Sequence, residues 1–550
     1  MQNDKNFLGT APIGKLLLKL SIPTVIAQLI NMLYNVVDRI YIGHIPGEGS
    51  LALTGVGVCM PIIMIVTAFA ALISSGGAPR ASICMGKQDN KSAEQILGNC
   101  FSLQIVVSIV LTVVLLIWNK DLLMAFGASK NTLGYATDYM RIYALGTLFV
   151  QLTLGMNAFI TAQGFTTTSM VSVLIGAICN ITLDPVFIFV FNMGVKGAAL
   201  ATVLSQAIST IWVVVFLSGK KTQLHLQKKY MGLKPKIFLP CVALGLATFI
   251  MQASESVVTV CFNSSLLHYG GDIAVGAMTI LTSVMQFAML PLQGIAQGSQ
   301  PIASYNYGAK NADRVKKTFR LLVITCLTYS TLLWAAVQII PKVFVSIFTS
   351  DAKLVAFTAP MLKIYLGGLF LFGIQIACQI TFTSLGKAVN SIIVAVVRKF
   401  VLLLPLIYIM PHVVSNPTIG VYMAELLQIL LLCCLHLFCL HSSLKKHLHK
   451  FGILIKCNEE CDILIKFTNR NDPYYYCIKD EIFNAIYHRF LPEDFHEFGF
   501  SSGIRLSHIL LYSTLCSFAT LSTCIETLPR INIRAQSSVI IIFCTPCHKI

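Results

Sequence analysis

Asp38, Asp184 and Glu255 are acidic residues that lie inside long apolar segments of this 550-residue chain. An acid near the centre of a bilayer costs about 2.5–3.5 kcal/mol on insertion scales, so it is usually retained for a function. Buried carboxylates of this kind take up protons, bind small hard cations or attract cationic ligands. We therefore expect the chemistry of this chain to be the binding and exchange of cations.

Asp184 has the most informative neighbours. Asn180 precedes it by four residues, so both side chains lie on one helix face. Pro185 follows it and cannot donate the helical hydrogen bond to the carbonyl of Ile181. The segment thus offers a carboxylate, an amide oxygen and a free carbonyl within one turn, which suits a small hard cation or a carboxylate poised to take a proton. The alternative is an Asp that only cross-links the helix bundle through hydrogen bonds.

The remaining intramembrane charges leave alternatives open. Asp38 is followed by Arg39 late in its segment, which also fits an interfacial residue that reaches for water. Glu255 fits either a cavity acid for cationic drugs or a polar contact between the two halves of the molecule. Arg398 and Lys399 are expected early in their segment, at its cytoplasmic edge.

The composition explains where these residues reside. Hydrophobic residues make up 56% of the chain, charged residues only 11%, and the mean hydropathy is +0.76. A soluble protein could not bury that much apolar surface, whereas a lipid-facing exterior removes the difficulty. The net charge of +17 comes from cations placed between apolar blocks, so it indicates membrane topology and not a nucleic-acid partner.

About twelve spanning helices are predicted, which makes the fold class an all-α polytopic membrane protein. The predicted spans are 16–41, 51–78, 95–118, 137–160, 168–192, 195–218, 237–264, 273–300, 317–341, 357–382, 390–411 and 418–441. Lysines and arginines are concentrated in the connections after the second, sixth and eighth spans. Both termini are therefore expected on the cytoplasmic side.

An internal repeat divides the spans into two halves. Pro79-Arg-Ala-Ser-x-x-x-Gly86 recurs as Pro301-Ile-Ala-Ser-x-x-x-Gly308, a displacement of 222 residues. The same displacement relates Arg141 to Lys363, Tyr143 to Tyr365, Gly146 to Gly368 and Gly164 to Gly386, and a displacement of 223 relates Gly197 to Gly420. Because six spans separate the copies, both have the same orientation. We expect two six-helix lobes related by an axis along the membrane normal, with a cavity between them. The predicted domains are an N-lobe (10–218), a cytoplasmic linker (219–236), a C-lobe (237–441) and a tail (442–550).

With these features the chain resembles the multidrug and toxic compound extrusion (MATE) family, and within it the MepA-like and DinF-like bacterial branch. The resemblance covers residues 10–425 and is carried by Leu53-Thr-Gly-Val-Gly57, by Asn180 to Pro185, and by Gln297-Gly-Ser-Gln-Pro-Ile-Ala-Ser-Tyr-Asn-Tyr-Gly-Ala-Lys310. It implies an antiporter in the bacterial plasma membrane that exports organic cations or amphipathic drugs against inward H⁺ or Na⁺. No other cofactor is implied, and a monomer is expected.

The resemblance also implies a site. Asp38, Asn180, Asp184 and Thr202 match an N-lobe cation or proton site, which could hold Na⁺, and Tyr139 and Asn157 match its surrounding network. Cation binding there is expected to bend the first helix near Pro23 and to release the drug. Glu255 matches a C-lobe acid of a related branch, but the acid that this branch places in the tenth span is missing, so a Na⁺ site of that type is not expected here.

Two alternative functions differ in their residues. A lipid-linked oligosaccharide flippase also pairs six-helix lobes but lines the cavity with several cations to hold pyrophosphate, whereas these spans carry acids. An enzyme is not expected, because the sequence has no Walker A loop, no His-Glu-x-x-His motif and no intramembrane His cluster.

The tail departs from the family after Glu425. One extra nucleotide after that codon could turn Leu-Leu-Gln-Ile into Pro-Ser-Ser-Asp, which resembles the family's usual ending, so we expect a frameshifted and poorly ordered tail with an atypical twelfth helix. The alternative is a genuine extra domain. A zinc site through Cys457, Cys461, Cys477, Cys544 and Cys547 is not expected from their spacing.

Overall fold

A computed structural model describes residues 6–432 together with residues 453–457, 463–468 and 473–478. Among the described residues, nine helices are long and apolar enough to cross a membrane, and a bent pair adds a tenth. Dividing Pro235–Gly308 at its break and adding the shorter apolar helix Pro417–Leu432 gives twelve, the predicted number. They are α1 (Ile13–Gly43), α2 (Gly49–Gly86), α3 (Asn90–Ile117), α4 (Leu133–Ala162), α5 (Thr166–Val190), α6 (Val195–Ser218), α7 and α8 (the two parts of Pro235–Gly308), α9 (Ala312–Ile339), α10 (Ala352–Tyr365 with Leu369–Ser384), α11 (Ala388–Val413) and α12 (Pro417–Leu432). Short helices at Phe7–Thr10, Asn119–Ala125 and Pro341–Ser346 and a 3₁₀ turn at Lys228–Tyr230 complete the helical elements.

The boundary between α7 and α8 is a single glycine. Gly271 has φ 64° and ψ −165°, a conformation that only glycine adopts without strain, so the helical stretch Pro235–Gly308 is broken there into two spans. Gly49, which lies 222 residues earlier, is the first residue of α2. The chain therefore turns between spans at equivalent places in the two halves. The tenth span is bent by 47° between its two parts.

The repeat seen in the sequence reappears as reciprocal contacts between α2 and α8. A Cβ atom on Gly86 would lie 2.0 Å from the carbonyl oxygen of Tyr305, and one on Gly308 would lie 2.0 Å from the carbonyl oxygen of Ile83. Tyr305 and Ile83 are themselves 222 residues apart. Each helix thus presents a glycine to the other's backbone, and the predicted two-fold relation between the lobes is confirmed.

The connections that follow these two helices are also equivalent. Gln88 and Lys310 both have left-handed backbone conformations, with φ of 62° and 59°. The next residue caps the following helix in each half: Asp89 accepts a hydrogen bond from Ser92 N at 3.0 Å, and Asn311 accepts one from Arg314 N at 3.3 Å. Each cap satisfies one of the free N–H groups at the start of α3 or α9.

The cationic linker between the lobes is fastened to the N-lobe. Oε1 of the buried Gln163 accepts hydrogen bonds from the Thr222 hydroxyl and from the backbone N–H groups of residues 223 and 224, at 2.8–2.9 Å. Asn99 on α3 donates to the carbonyl of Tyr230 at 3.3 Å and accepts from the backbone N–H of Lys234 at 2.8 Å. The linker is therefore held to α3 and α4 up to the residue before α7.

The C-terminal unit contains three antiparallel strands in the order β1-β2-β3: β1 (Ile453–Cys457), β2 (Ile463–Thr468) and β3 (Pro473–Ile478). In their register Ile455 pairs with Ile465, and Ile465 pairs with Tyr476. No strand was predicted here. The expectation of a poorly ordered tail lies, apart from these strands, outside the described residues, and the all-α prediction is confirmed for the twelve spans.

Candidate functional site

The two N-lobe acids come together between α1 and α5. Asp38 is 6% exposed and Asp184 is fully buried, and their carboxyl groups are close enough to interact directly. The amide of Asn180 donates towards Oδ1 of Asp184 at 3.3 Å and towards the hydroxyl of Thr202 at 3.4 Å. The structure thus brings all four residues of the predicted cation site into one cluster, which we call the N-lobe cluster.

The N-lobe cluster has more acceptors than donors. Oδ1 of Asp38, Oδ2 of Asp184 and Oδ1 of Asn180 are buried, and none has a hydrogen-bond partner among the described residues. No Lys, Arg or His nitrogen in this part of the chain lies within 4.0 Å of either carboxyl group. Buried acids without a counter-charge are costly, so the geometry favours a proton or a cation at this place.

The two residues predicted to surround the cation site lie in different places. Tyr139 is 3% exposed, interacts with Thr202 and stacks on Tyr143 with ring centroids 6.3 Å apart, so it forms a wall of the N-lobe cluster. Asn157 instead donates to the carbonyl of Ser169 at 3.3 Å. Ser169 precedes Asp184 by 15 residues on α5, a rise of about 22 Å. Asn157 therefore lies away from the cluster.

The backbone of α5 changes its winding directly after Asp184 and Pro185. Residues Val186–Val190 form a π-helical stretch, in which the N–H of Phe191 donates to the carbonyl of Val186 at 2.9 Å. The missing N–H of Pro185 and the π-helical turn both loosen the ordinary helical ladder beside the carboxylate. Such irregular turns are frequent at functional sites.

A polar stripe on α1 leads towards Asp38 and was missed by the sequence reasoning. It consists of Thr24, Gln28, Asn31, Asn35 and Asp38, spaced by alternating steps of four and three residues. The Thr24 hydroxyl donates to the carbonyl of Gly294 on α8 at 2.6 Å, and Gln28 donates to Oε1 of Gln297 at 3.1 Å. Polar side chains do not face lipid, so the stripe must face the opposite lobe or water. Pro23 lies beside it, inside a helix that runs unbroken through the proline.

The C-lobe holds a second cluster of buried charges. Nζ of Lys399 lies 2.6 Å from Oε2 of Glu255, with the lysine side chain 5% exposed and the glutamate side chain 54% exposed. Lys399 is the twelfth residue of α11, near the middle of the span. The expected position of Arg398 and Lys399 at a cytoplasmic edge is therefore wrong, because both side chains turn into the bundle and meet acids of other helices.

Arg398 has partners on two helices. With the amide of Gln375 oriented so that its oxygen faces the guanidinium, Nε and Nη1 of Arg398 donate to it at 3.1 and 2.9 Å. Nη2 lies 4.0 Å from Oε1 of Glu425, which is 5% exposed, and the guanidinium lies 4.8 Å from the ring centroid of Phe372. We call Glu255, Gln375, Arg398, Lys399 and Glu425 the C-lobe cluster.

Glu255 also belongs to a polar stripe, on α7. Thr248, Gln252, Glu255, Thr259 and Asn263 follow one another at steps of three or four residues. Exposed apolar residues such as Val257 and Val260 occupy a different arc of the same helix. The lipid-facing arc and the polar arc are thus separate, and Glu255 lies on the polar arc.

The clusters contain few strong metal ligands. The part of the chain that the structure describes holds no group of three or more His, Cys, Asp and Glu side chains that could bind a metal ion. A cation in the N-lobe cluster would therefore depend on two carboxylates supplemented by amide and hydroxyl oxygens. That donor set fits a monovalent cation or a proton better than a transition metal.

Known proteins match most of the chain. The multidrug export protein MepA of Staphylococcus haemolyticus (strain JCSC1435) is 25% identical over 404 residues, which are 74% of this chain and 88% of that protein. An outward-facing multidrug resistance MATE family transporter of the MOP superfamily has a TM-score of 0.73 at 22% identity, over 78% of this chain and 95% of that one. A MOP superfamily transporter from Pyrococcus furiosus has a TM-score of 0.74 at 21% identity, over 82% of this chain and 99% of that one.

Two family models match this chain. Residues 421–499 match a domain of unknown function, DUF3877, described from E. rectale. This match begins inside α12 and covers part of the predicted tail. Residues 23–186 and 247–409, one stretch in each lobe and together more than half of the chain, match the MatE family model. The chain is a multi-pass membrane protein and belongs to the MatE family of transporters.

Proposed function

We propose that the chain is a cation-coupled antiporter that exports small amphipathic or cationic drugs across the bacterial plasma membrane. The observation that carries the proposal is the N-lobe cluster, where two buried acids face each other and the described residues place no cation within 4.0 Å of them. The relatives named multidrug export proteins support the substrate class. The coupling ion is H⁺ or Na⁺, because carboxylates with amide and hydroxyl neighbours serve either ion.

The mechanism follows from the position of Asp38 on α1 and Asp184 on α5. An ion or proton between them offsets their mutual repulsion and draws the two helices together. When the ion or proton is bound, α1 bends near Pro23, where one helical hydrogen bond is missing, and this shape disfavours the bound drug. Drug and ion then favour different shapes of the N-lobe, and one displaces the other. A monocation that moves inward through 100 mV contributes about 2.3 kcal/mol.

The lobe contacts suggest which side is open. The loops that follow α2 and α8 carry cations and are proposed to be cytoplasmic, together with both termini. The reciprocal glycine contacts lie at these ends of α2 and α8 and close the lobes there. The polar stripes of α1 and α7 would then line a cavity that opens to the outside.

The flippase alternative has less support. A pyrophosphate site needs cations that are free to meet the phosphates. The two buried cations of the C-lobe, Arg398 and Lys399, are each opposite an acid. The described spans therefore do not present a surplus of positive charge at these positions.

Transport in proteoliposomes tests the proposal. The full chain is reconstituted with a fluorescent organic cation, and a proton gradient and a Na⁺ gradient are imposed separately. We expect one gradient to drive dye movement and Asp184→Asn to abolish the driven component. Asp138→Asn is the matched control, because that acid is 41% exposed and pairs with Lys196 at the surface. Gradient-driven transport that survives in Asp184→Asn would refute the coupling site.

A further inference from the structure

Lys399 has no role in the proposed antiport, yet its ammonium is buried in the C-lobe cluster. Its side chain is 5% exposed, and it lies near the middle of a membrane span. Among the described residues, Glu255 is the one acid within ion-pair distance of it. A buried ammonium is stable only when it is paired, and Glu255 is the carboxylate in direct contact with Lys399.

The neighbouring cation cannot replace it. Arg398 is adjacent in sequence, but its guanidinium donates to Gln375 and packs on Phe372, on the α10 side of α11. Both residues lie in the π-helical stretch Val397–Leu403, which sends two consecutive side chains to different neighbouring helices. Each cation therefore has its own direct contacts, and among the described residues Lys399 is the cation whose nitrogen lies within 4.0 Å of Glu255.

The corresponding helices of the N-lobe are joined differently and at another level, since the 222-residue displacement sets Asp38 against Val260 and Asp184 against Leu406. There the acids Asp38 and Asp184 connect α1 to α5, and the described residues provide no cation for them. In the C-lobe the connection runs from α7 to α11, and a cation attached to the chain completes it. One lobe thus has to take its positive charge from solution, and the other carries it on a lysine.

We propose that the ammonium of Lys399 is a tethered cation that occupies a monovalent-cation site at Glu255 in the C-lobe. It fixes α7 to α11 without an exchangeable ion. When its ammonium is removed, the carboxylate of Glu255 and the emptied space beside it bind a small free ammonium ion. The site is specific for the class of compact primary ammonium ions, because the Lys399 ammonium fits at 2.6 Å from the carboxylate oxygen.

Chemical rescue tests this site on the purified full-length chain. All variants carry Asp184→Asn, so that the N-lobe cluster contributes no cation dependence. The protein that keeps Lys399 is compared with the protein that also carries Lys399→Ala. The apparent unfolding temperature is measured with increasing methylammonium chloride, and choline chloride at equal ionic strength serves as the control. A ligand that binds only the folded state raises the unfolding temperature as its concentration rises.

We expect methylammonium, and not choline, to raise the unfolding temperature of the Lys399→Ala variant by about 1–3 °C. The parent with Lys399 present, and the variant that combines Lys399→Ala with Glu255→Gln, should not respond. Equal responses to both salts, or a response that persists with Glu255→Gln, would overturn the proposal. Lys399→Thr, which removes less volume, repeats the comparison if Lys399→Ala does not fold. A rise in the unfolding temperature with methylammonium in the Asp184→Asn protein that keeps Lys399 would also contradict the proposal.

Discussion

The fifth helix of each lobe contains a π-helical stretch, Val186–Val190 in α5 and Val397–Leu403 in α11, and buried charges lie at both. In α5 the charge is the acid Asp184, which faces a second acid. In α11 the charges are Arg398 and Lys399, which face acids. One scaffold therefore supports a cluster with an unbalanced charge and a cluster whose charges cancel. The comparison shows that the fold alone does not decide which lobe responds to ions.

The frame around the clusters is nearly symmetrical. The α2–α8 crossing is reciprocal, and the caps of α3 and α9 are equivalent. Differences in ion response should therefore follow from the cluster residues themselves and not from the surrounding helices. Substitutions in the two lobes can be paired to test this.

The largest effect is expected from Glu255→Gln. It leaves the ammonium of Lys399 buried without a counter-charge, which should lower the free energy of unfolding by about 2–3 kcal/mol. The value is below that for fully buried pairs because the Glu255 side chain is 54% exposed. Denaturation of the purified protein measures it. The double variant Glu255→Gln with Lys399→Met should recover most of the loss, and no recovery would mean that the charge pairing is unimportant.

A smaller loss is expected at the symmetrical crossing. Gly86→Ala and Gly308→Ala each place a methyl group about 2.0 Å from a carbonyl oxygen of the other helix, so the two backbones must separate. We expect each to lower stability by about 1–3 kcal/mol, and by similar amounts. Gly57→Ala is the control, since nothing lies within 4 Å of a Cβ atom there. Unequal losses of stability in the same denaturation assay would show that the two glycines do not contribute equally to the contact between α2 and α8.

Asp38→Asn should have the opposite sign from Glu255→Gln. No cation of the described residues lies within 4.0 Å of the Asp38 carboxyl group, so removing its charge relieves the N-lobe cluster. The free energy of unfolding should rise by up to about 1 kcal/mol in buffer without the coupling ion. The same denaturation series measures it. A loss as large as that of Glu255→Gln would end the contrast between the lobes.

The smallest effect concerns the two caps. Hydrogen bonds from Ser92 lower the pKa of Asp89, so its cap is at full strength above the ordinary Asp pKa of about 3.9 and weakens as the pH falls through the lowered value. Asp89→Asn should remove this pH dependence and change stability by less than about 1 kcal/mol. The counterpart Asn311 does not titrate, so Asn311→Asp should introduce the same dependence at α9. Unfolding temperatures at neutral and acidic pH compare the two variants.

The sequence predicted the features that depend on local spacing. The i, i+4 pair Asn180 and Asp184, the spans and the 222-residue repeat are all visible in the chain. The partner of Lys399 is not visible in the sequence, because Glu255 is 144 residues away and the π-helical turn redirects the lysine side chain. Asn157 matched the family by position, but its distance from Asp184 follows from the antiparallel packing of α4 and α5. The strands of the tail depend on pairing between segments, which no local pattern revealed.

The attachment of the linker limits how the halves can rock. Because Asn99 holds the backbone of Lys234, the flexible part of the connection shrinks to the peptide between Lys234 and Pro235. The N-lobe therefore carries the whole basic linker with it as a fixed arm. Lengthening the loop elsewhere in 219–233 should therefore leave unaltered the length of free chain that joins the two lobes.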